Sequence, residues 1–232
     1  MRKTSKIVSL LLTLVMILGI VVPMTVSADT LSFTDVPTTH NYHEAIMNLV
    51  AEGIVNGMGD GTYNPEGAVT REQFAKIICY ALSVGELTYS PEEKNIFIDV
   101  APDRWSSDNI KTAYNLGIIN GMGDGTFAPE NNVLYEQAEK MVVCALGYSP
   151  AHADREGGYP MGYMAIANRA GILKGLKDVR QGEPLNRGAV AKIVDNMRDA
   201  NQISDGEETE SLRDSATEKS QKFEGRVIGL YG

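Results

Sequence analysis

Apolar residues with helical spacing alternate with glycine-rich polar segments along the chain, and this alternation predicts short helices joined by long loops. The clearest helical spacing, i, i+3, i+4, i+7 and i+8, is that of Phe74, Ile77, Ile78, Ala81 and Leu82. It predicts an amphipathic helix of about three turns.

The start of this helix carries a capping signal. Thr70 stands where an N-cap belongs and Gln73 follows three residues later, which predicts a capping box. An earlier helix is predicted because Ile46 and Leu49 fall on one face, and Gly53 ends it. The basic unit is therefore helix, long glycine-rich loop, helix.

The unit recurs, because residues 33–82 return 64 positions later as residues 97–146. Its loop is the most repeated part: residues 56–62 (Asn-Gly-Met-Gly-Asp-Gly-Thr) return without change as residues 120–126. A core needs only apolar residues of about the right size. Identity at polar and glycine positions therefore indicates a fixed backbone shape, a surface used twice, or a recent duplication.

A third, degraded copy follows. A Gly-Ile-apolar-x-Gly frame returns at residues 171–175, and apolar residues at helical spacing mark a last helix between residues 190 and 197. The Phe-x-Asp-Val segment that opens the first two copies is missing, and the loop is two residues shorter. We expect an all-α fold, with any strands short and confined to loops, and units at residues 29–92, 93–150 and 151–200.

The chain begins with features of a secretory signal peptide over residues 1–28. A basic start precedes an almost wholly apolar run at residues 7–22 and the cleavage site Val26-Ser27-Ala28. A membrane anchor is the alternative, but no charged flank follows the run. We expect export from the cytoplasm and no membrane contact after cleavage.

The last part of the chain changes in composition. Residues 201–222 are rich in Ser, Glu and Asp and poor in apolar residues, which predicts an acidic flexible linker. Residues 223–232 have a strand-like pattern instead. A lone strand cannot fold, so this segment either adds to the repeat domain or begins a domain that the chain lacks.

Charge and cysteine content limit the partners. Without the signal peptide the formal charge is −12, which argues against nucleic acid and anionic membranes as general partners. Two cysteines, Cys79 and Cys144, are too few for a disulfide framework, and both lie in apolar helical runs. We expect small buried thiols, with a bridge between repeats as the alternative.

Catalytic and metal-binding motifs lack support in the sequence. The glycine loop does not place acids at the alternating positions of a calcium loop, so Asp60 and Asp124 are expected to shape their turns. No Rossmann strand precedes the glycines, and there is no serine nucleophile elbow. A glycosidase pair, recognised by separation in space, stays open. We expect no metal, no cofactor and no enzymatic activity.

The repeats resemble the S-layer homology (SLH) family. Its pattern is Phe-x-Asp-Val, a tryptophan, Gly-Ile-Ile-x-Gly-x-x-Asp-Gly-Thr-Phe-x-Pro and then Thr-Arg-Ala-Glu-Phe. The second copy supplies Trp105 and residues 117–129 (Gly-Ile-Ile-Asn-Gly-Met-Gly-Asp-Gly-Thr-Phe-Ala-Pro), and the first copy supplies residues 70–74 (Thr-Arg-Glu-Gln-Phe). The resemblance covers roughly residues 31–199.

The resemblance implies three SLH motifs packed about a pseudo-threefold axis, with grooves between neighbours. It also implies anchoring to a secondary cell-wall polysaccharide, commonly one with pyruvate ketals on its amino sugars. An arginine fork can bond a ketal carboxylate bidentately, and Arg71 and Arg187 both stand at helix starts, which favour anions. Leu134-Tyr135 replaces the Thr-Arg pair in the second copy, so we expect two usable grooves at most.

Further polysaccharide contacts are expected from the loops and from the tryptophan position of the motif, which is Asn41 in the first copy, Trp105 in the second and Tyr159 in the third. Glycines let a sugar approach the backbone closely, and an aromatic face suits a pyranose. The candidates are Trp105, Tyr159, Gly57, Gly59, Asp60, Gly121, Gly123, Asp124 and Thr126. The competing interpretations are that Arg71 and Arg187 are solvated surface arginines and that Trp105 is a core residue.

These observations favour a secreted, non-catalytic module that binds carbohydrate at the cell wall or cell surface. One alternative is a structural protein that self-associates in a surface layer. Another is the anchor remnant of a larger exported enzyme.

Overall fold

The computed structural model describes residues 32–94, 96–204 and 207–215. The expected signal peptide and the strand-like segment lie outside these residues. The elements of the described part are α1 (His43–Ala51), α2 (Arg71–Ala81), α3 (Pro91–Lys94), α4 (Ser107–Asn115), α5 (Tyr135–Ala145), α6 (Pro150–Asp154), α7 (Met161–Arg169), α8 (Arg187–Asp199), β1 (Asn201–Ser204) and β2 (Glu207–Ser211). None of these helices has the length and apolar character needed to cross a membrane.

The three predicted helix-loop-helix units are confirmed as the pairs α1–α2, α4–α5 and α7–α8. The predicted capping box is also present: the Gln73 N–H donates to Thr70 Oγ1 at 3.4 Å, and Gln73 Oε1 accepts from the Thr70 N–H at 3.0 Å. Asn186 caps α8 by accepting from the Ala189 N–H at 2.8 Å. The Leu134 side chain provides no such bond to α5.

The Phe-x-Asp-Val segment fixes the shape of the glycine loop in each of the first two units. The Asp35 carboxylate accepts from the backbone N–H groups of Tyr63, at 2.9 Å, and Asn64, at 2.7 Å. Asn64 has a φ of +58°, so these bonds hold a backbone conformation that is otherwise unfavourable. Burial raises the pKa of Asp35, but the backbone bonds outweigh it and the net shift is downward. Asp99 makes the equivalent bonds in the second unit.

A closed ring of backbone hydrogen bonds joins the three units. The extended residue shortly before each second helix bonds to its counterpart in another unit. The Val133 N–H donates to Val69 O (2.9 Å), the Leu185 N–H to Val133 O (3.0 Å), and the Val69 N–H to Leu185 O (3.3 Å). All three side chains are buried. The ring confirms the pseudo-threefold packing.

Helices pack across units as well as within them. The second helix of each unit lies against the first helix of another, so that α2 contacts α4, α5 contacts α7, and α8 contacts α1. One hydrophobic core results, and it contains both cysteines. Cys79 and Cys144 are buried and unbridged, and burial raises the pKa of the Cys79 thiol to about 12.

Strands β1 and β2 correct the expectation of a flexible linker over residues 201–204 and 207–211. They form an antiparallel hairpin, and the Ile203 N–H donates to Leu146 O at 2.7 Å. Gly147 permits this contact, since a Cβ there would lie 2.1 Å from Ile203 O. After the hairpin, Arg213 forms an ion pair with Asp195 of α8 at 2.8 Å. Composition missed the hairpin because backbone pairing and ion pairs hold it rather than apolar side chains.

Candidate functional site

Arg71 belongs to the first unit, but its side chain lies against the loop of the second. Its Nε donates to Phe127 O at 2.8 Å and its Nη1 to Gln137 Oε1 at 2.9 Å. The guanidinium carbon stands 4.7 Å from the centroid of the Phe127 ring. Arg71 is only 6% exposed, so it is not a solvated surface arginine.

The guanidinium opens into a groove between units, which we call groove B. Groove B has a volume of about 230 Å³ and is lined by Arg71, Ile118, Ile119, Asn120, Gly121, Met122, Gln137, Lys140, Met141 and Tyr159. It brings together three residues proposed from the sequence: Arg71, Gly121 and Tyr159. Lys140 Nζ lies 5.8 Å from the centroid of the Tyr159 ring, so a second cation borders the aromatic face.

Arg187 makes the corresponding contacts with the loop of the first unit. Its Nε donates to Tyr63 O and its Nη2 to Asn56 O, both at 2.9 Å. Its guanidinium carbon lies 4.4 Å from the centroid of the Tyr63 ring. Arg187 is half-buried rather than fully solvated.

The repeat predicts that a surface corresponding to groove B lies beside Arg187 and includes residues 56–58, Lys76 and Trp105, and we call it groove A. The loop part includes the candidate Gly57. Lys76 Nζ lies 5.6 Å from the centroid of the Trp105 ring, as Lys140 lies near Tyr159. Trp105 is 55% exposed, so it is not a core residue.

The other loop candidates lie at the loop tips and do not line groove B. Asp124 Oδ1 accepts from the Thr126 N–H at 3.0 Å and from the Thr126 hydroxyl at 2.6 Å. The hydroxyl bond is the larger cause of a lowered Asp124 pKa, and the backbone bond adds to it. Asp60 makes the same bonds in the first copy. Gly59 and Gly123 have φ values of +89° and +95°. These residues shape the turn, as Asp-Gly chemistry predicts.

Groove B presents a guanidinium that forms no salt bridge with the described residues, although the Asp99 carboxylate acts on it from a longer distance. No carboxylate of the described residues lies within salt-bridge distance of Arg71. Burial lowers the pKa of Arg71, but a guanidinium stays protonated at any physiological pH. Lys140 adds a second positive charge at the same groove. The described residues bring no three His, Cys, Asp or Glu side chains together to hold a metal ion.

The third contact region between units has different residues from grooves A and B. Tyr135 takes the position of the two arginines and is 8% exposed. Asn41 takes the aromatic position, and its Oδ1 accepts from Lys177 Nζ at 2.9 Å. Glu139 lies one turn after Tyr135 and is fully buried. The other two units have alanine at this position, Ala75 and Ala191. The guanidinium and the aromatic face of the other two grooves are thus both absent from these positions.

Sequence reasoning missed Lys76, Lys140 and the groove contact of Gln137. The two lysines occupy the same position of the repeat, 64 residues apart. This equivalence could have identified them, but they are not part of the family pattern. Gln137 is the counterpart of Gln73 in the second copy, and its position in the repeat gives no sign of a contact with Arg71.

Comparison with known proteins identifies the repeats. The S-layer homology domain family matches residues 32–75 and 97–139, which belong to the first two units. A cell surface protein of Thermoanaerobacter kivui is 34% identical over 169 residues, 72% of this chain and 21% of that protein. The middle cell wall protein of Brevibacillus brevis is 28% identical over 177 residues, 76% of this chain and 16% of that protein. An endoglucanase of Bacillus sp. strain KSM-635 is 29% identical over 154 residues, 63% of this chain and 16% of that enzyme.

The chain spans about a fifth of the length of the first of these relatives and less of the other two. The similarity therefore concerns the repeat units and not the remainder of the longer proteins. It places the protein at the cell wall or cell surface and supports an anchoring role there. The first two repeat units belong to the S-layer homology domain family.

Proposed function

We propose that the repeat units attach the protein to the cell wall by binding an anionic secondary polysaccharide in grooves A and B. The observation that carries this proposal is Arg71, a nearly buried guanidinium that bonds to a carbonyl and an amide, contacts an aromatic ring and forms no salt bridge with the described residues. Buried charges are normally paired. An anionic group on the ligand completes the site.

A pyruvate ketal on an amino sugar fits this chemistry. It keeps one free carboxylate, which a planar guanidinium can bond through two parallel N–H groups. The apolar side of the pyranose would pack on the exposed face of Tyr159 in groove B or Trp105 in groove A, both more than half exposed. Lys140 and Lys76 border these rings and favour further negative charge along the polymer.

The net charge of the protein makes the local cations necessary. The chain has a formal charge of −9, or −12 without residues 1–28, and therefore repels an anionic polymer at long range; salt at physiological strength screens this repulsion beyond about 8 Å. Binding then depends on the few donors in contact with the ligand. This predicts a site that is sensitive to single arginine substitutions.

What the anchoring units attach to the wall is a separate question. Assembly in a surface layer and attachment of an enzyme to the wall are both compatible with relatives that include cell-surface proteins and an endoglucanase. Each would use the same anchoring units. We propose no catalytic activity for the units themselves.

Sedimentation with purified sacculi, before and after removal of the secondary polymer, tests the proposal. Arg71→Ala should weaken binding by about thirtyfold or more, since a desolvated charge pair loses one partner. Arg71→Lys should recover only part, because an ammonium lacks the planar fork. Arg155→Ala, at an exposed arginine outside the grooves, is the matched control. Binding that survives the Arg71→Ala, Arg187→Ala double substitution unchanged contradicts the arginine–ketal mechanism.

A further inference from the structure

The glutamine at the third position of the second helix has different partners in the first two units. In the first, Gln73 Oε1 accepts from the Thr70 N–H at 3.0 Å, and the Thr70 hydroxyl accepts in return. In the second, Gln137 Oε1 accepts from the Leu134 N–H at a longer 3.3 Å. The same oxygen accepts from Arg71 Nη1 at 2.9 Å. The amide that caps α2 in the first unit therefore serves a groove in the second.

Groove A orients its arginine in another way. Both bonds of the Arg187 guanidinium go to backbone carbonyls, those of Tyr63 and Asn56. Backbone carbonyls are fixed by the loop itself and cannot be removed by a side-chain substitution. In groove B only the Phe127 carbonyl is a backbone partner, and the second bond depends on Gln137.

We propose that Gln137 is a positioning residue of groove B, which fixes the plane of the Arg71 fork, whereas Gln73 is only a helix cap. This inference rests on the proposed function, because it concerns the orientation of a ligand-binding group. A neutral amide oxygen suits the task. It accepts one N–H without adding a negative charge beside Arg71, and of the five guanidinium N–H groups three stay available to a carboxylate. A carboxylate at the same position would itself bind the guanidinium and compete with the ligand.

The test measures each groove alone. The Arg187→Ala variant keeps groove B intact, and the Arg71→Ala variant keeps groove A intact. Binding to sacculi that carry the polymer is measured in both backgrounds. Gln137→Ala should weaken groove B about tenfold, the effect of one hydrogen bond to a charged group. Gln73→Ala should leave groove A within about twofold of its parent, while both variants lose some helix capping.

A glutamate variant separates positioning from helix stability. Glutamate is itself a capping-box residue, so Gln137→Glu should keep the melting temperature of its parent. Gln137→Glu should nevertheless weaken polymer binding by groove B more than Gln137→Ala does, because the new carboxylate neutralises the charge of Arg71. Gln73→Glu, the matched control, should change neither property. Equal losses from Gln73→Ala and Gln137→Ala, or full binding by Gln137→Glu, would overturn the positioning role.

A ligand-free measurement distinguishes this inference from the proposed function. Hydrogen exchange of the Arg71 side-chain N–H groups, followed by NMR, should accelerate severalfold in Gln137→Ala and stay unchanged in Gln73→Ala. If exchange responds in this way but the Arg187→Ala parent does not bind the polymer, the proposed function fails and the positioning role stands. Exchange that is insensitive to Gln137 overturns the positioning role whatever the binding result.

Discussion

Replacement of Glu139 by alanine is expected to stabilise the protein, and to do so only above acidic pH. Glu139 is fully buried, and neither of its carboxylate oxygens accepts a hydrogen bond of normal geometry. Burial raises the pKa of the carboxyl to about 7; the Tyr135 hydroxyl opposes this shift and the charge of Glu136 adds to it. The two other units have alanine at this position, so the fold accommodates the small side chain.

The pH dependence follows from the difference between the folded and unfolded states. Below about pH 4 the carboxyl is protonated in both states, and its ionisation contributes nothing to stability. As the pH rises from the ordinary value of 4.5 towards 7, the unfolded chain ionises first, and the folded state loses stability. The full loss is about 3 kcal/mol, because one pKa unit corresponds to about 1.4 kcal/mol. The alanine variant loses about 1 kcal/mol of stability because it no longer buries the side-chain methylene.

Urea denaturation of both proteins, at pH 4.5 and at pH 8, checks this reasoning. Glu139→Ala should be about 2 kcal/mol more stable than the parent at pH 8 and within about 1 kcal/mol of it at pH 4.5. Glu139→Gln keeps the volume and removes the charge, and should show the same pH trend. The reciprocal change, Ala75→Glu, should introduce the penalty into the first unit. A Glu139→Ala variant that is equally destabilised at both pH values would refute the argument.

Four further substitutions test other parts of the structure by urea denaturation. Thr70→Ala should lower the free energy of unfolding by about 1 kcal/mol because it removes the capping hydroxyl. Leu134→Thr should raise it by roughly a few tenths of a kcal/mol. Unchanged stability in both variants would contradict the assigned helix starts. Gly121→Ala should cost about 2 kcal/mol or more and weaken groove B, since φ is +73° and a Cβ would lie 2.5 Å from an aromatic carbon. Arg213→Ala should cost about 1–3 kcal/mol by removing a partner of buried Asp195, and limited proteolysis should then cut the hairpin first.

The helices and caps could be predicted from the sequence because they depend on local spacing. The apolar face from Phe74 to Leu82 and the pair Thr70 and Gln73 lie within a few turns of each other. A repeat could also be recognised without knowledge of its packing. The all-α fold with three units followed from these features.

The construction of the grooves could not be predicted in the same way, because each groove takes residues from different units. Arg71 was a candidate as a helix-start arginine of the first unit, yet its partners Phe127 and Gln137 belong to the second. Periodicity within one unit contains no information about which neighbour a side chain reaches. The hairpin was missed for a related reason, since it is held by distant partners such as Leu146 and Asp195.

The ring of hydrogen bonds among Val69, Val133 and Leu185 limits the number of repeats that can associate in this way. In an open array each repeat contacts only its neighbours, so copies can be added at an end. A ring has no end: each unit here donates to one unit and accepts from another. A fourth copy would have to open the ring or belong to a second one. The degraded third unit has lost its opening segment, yet its Leu185 supplies the donor and the acceptor that the other two units require.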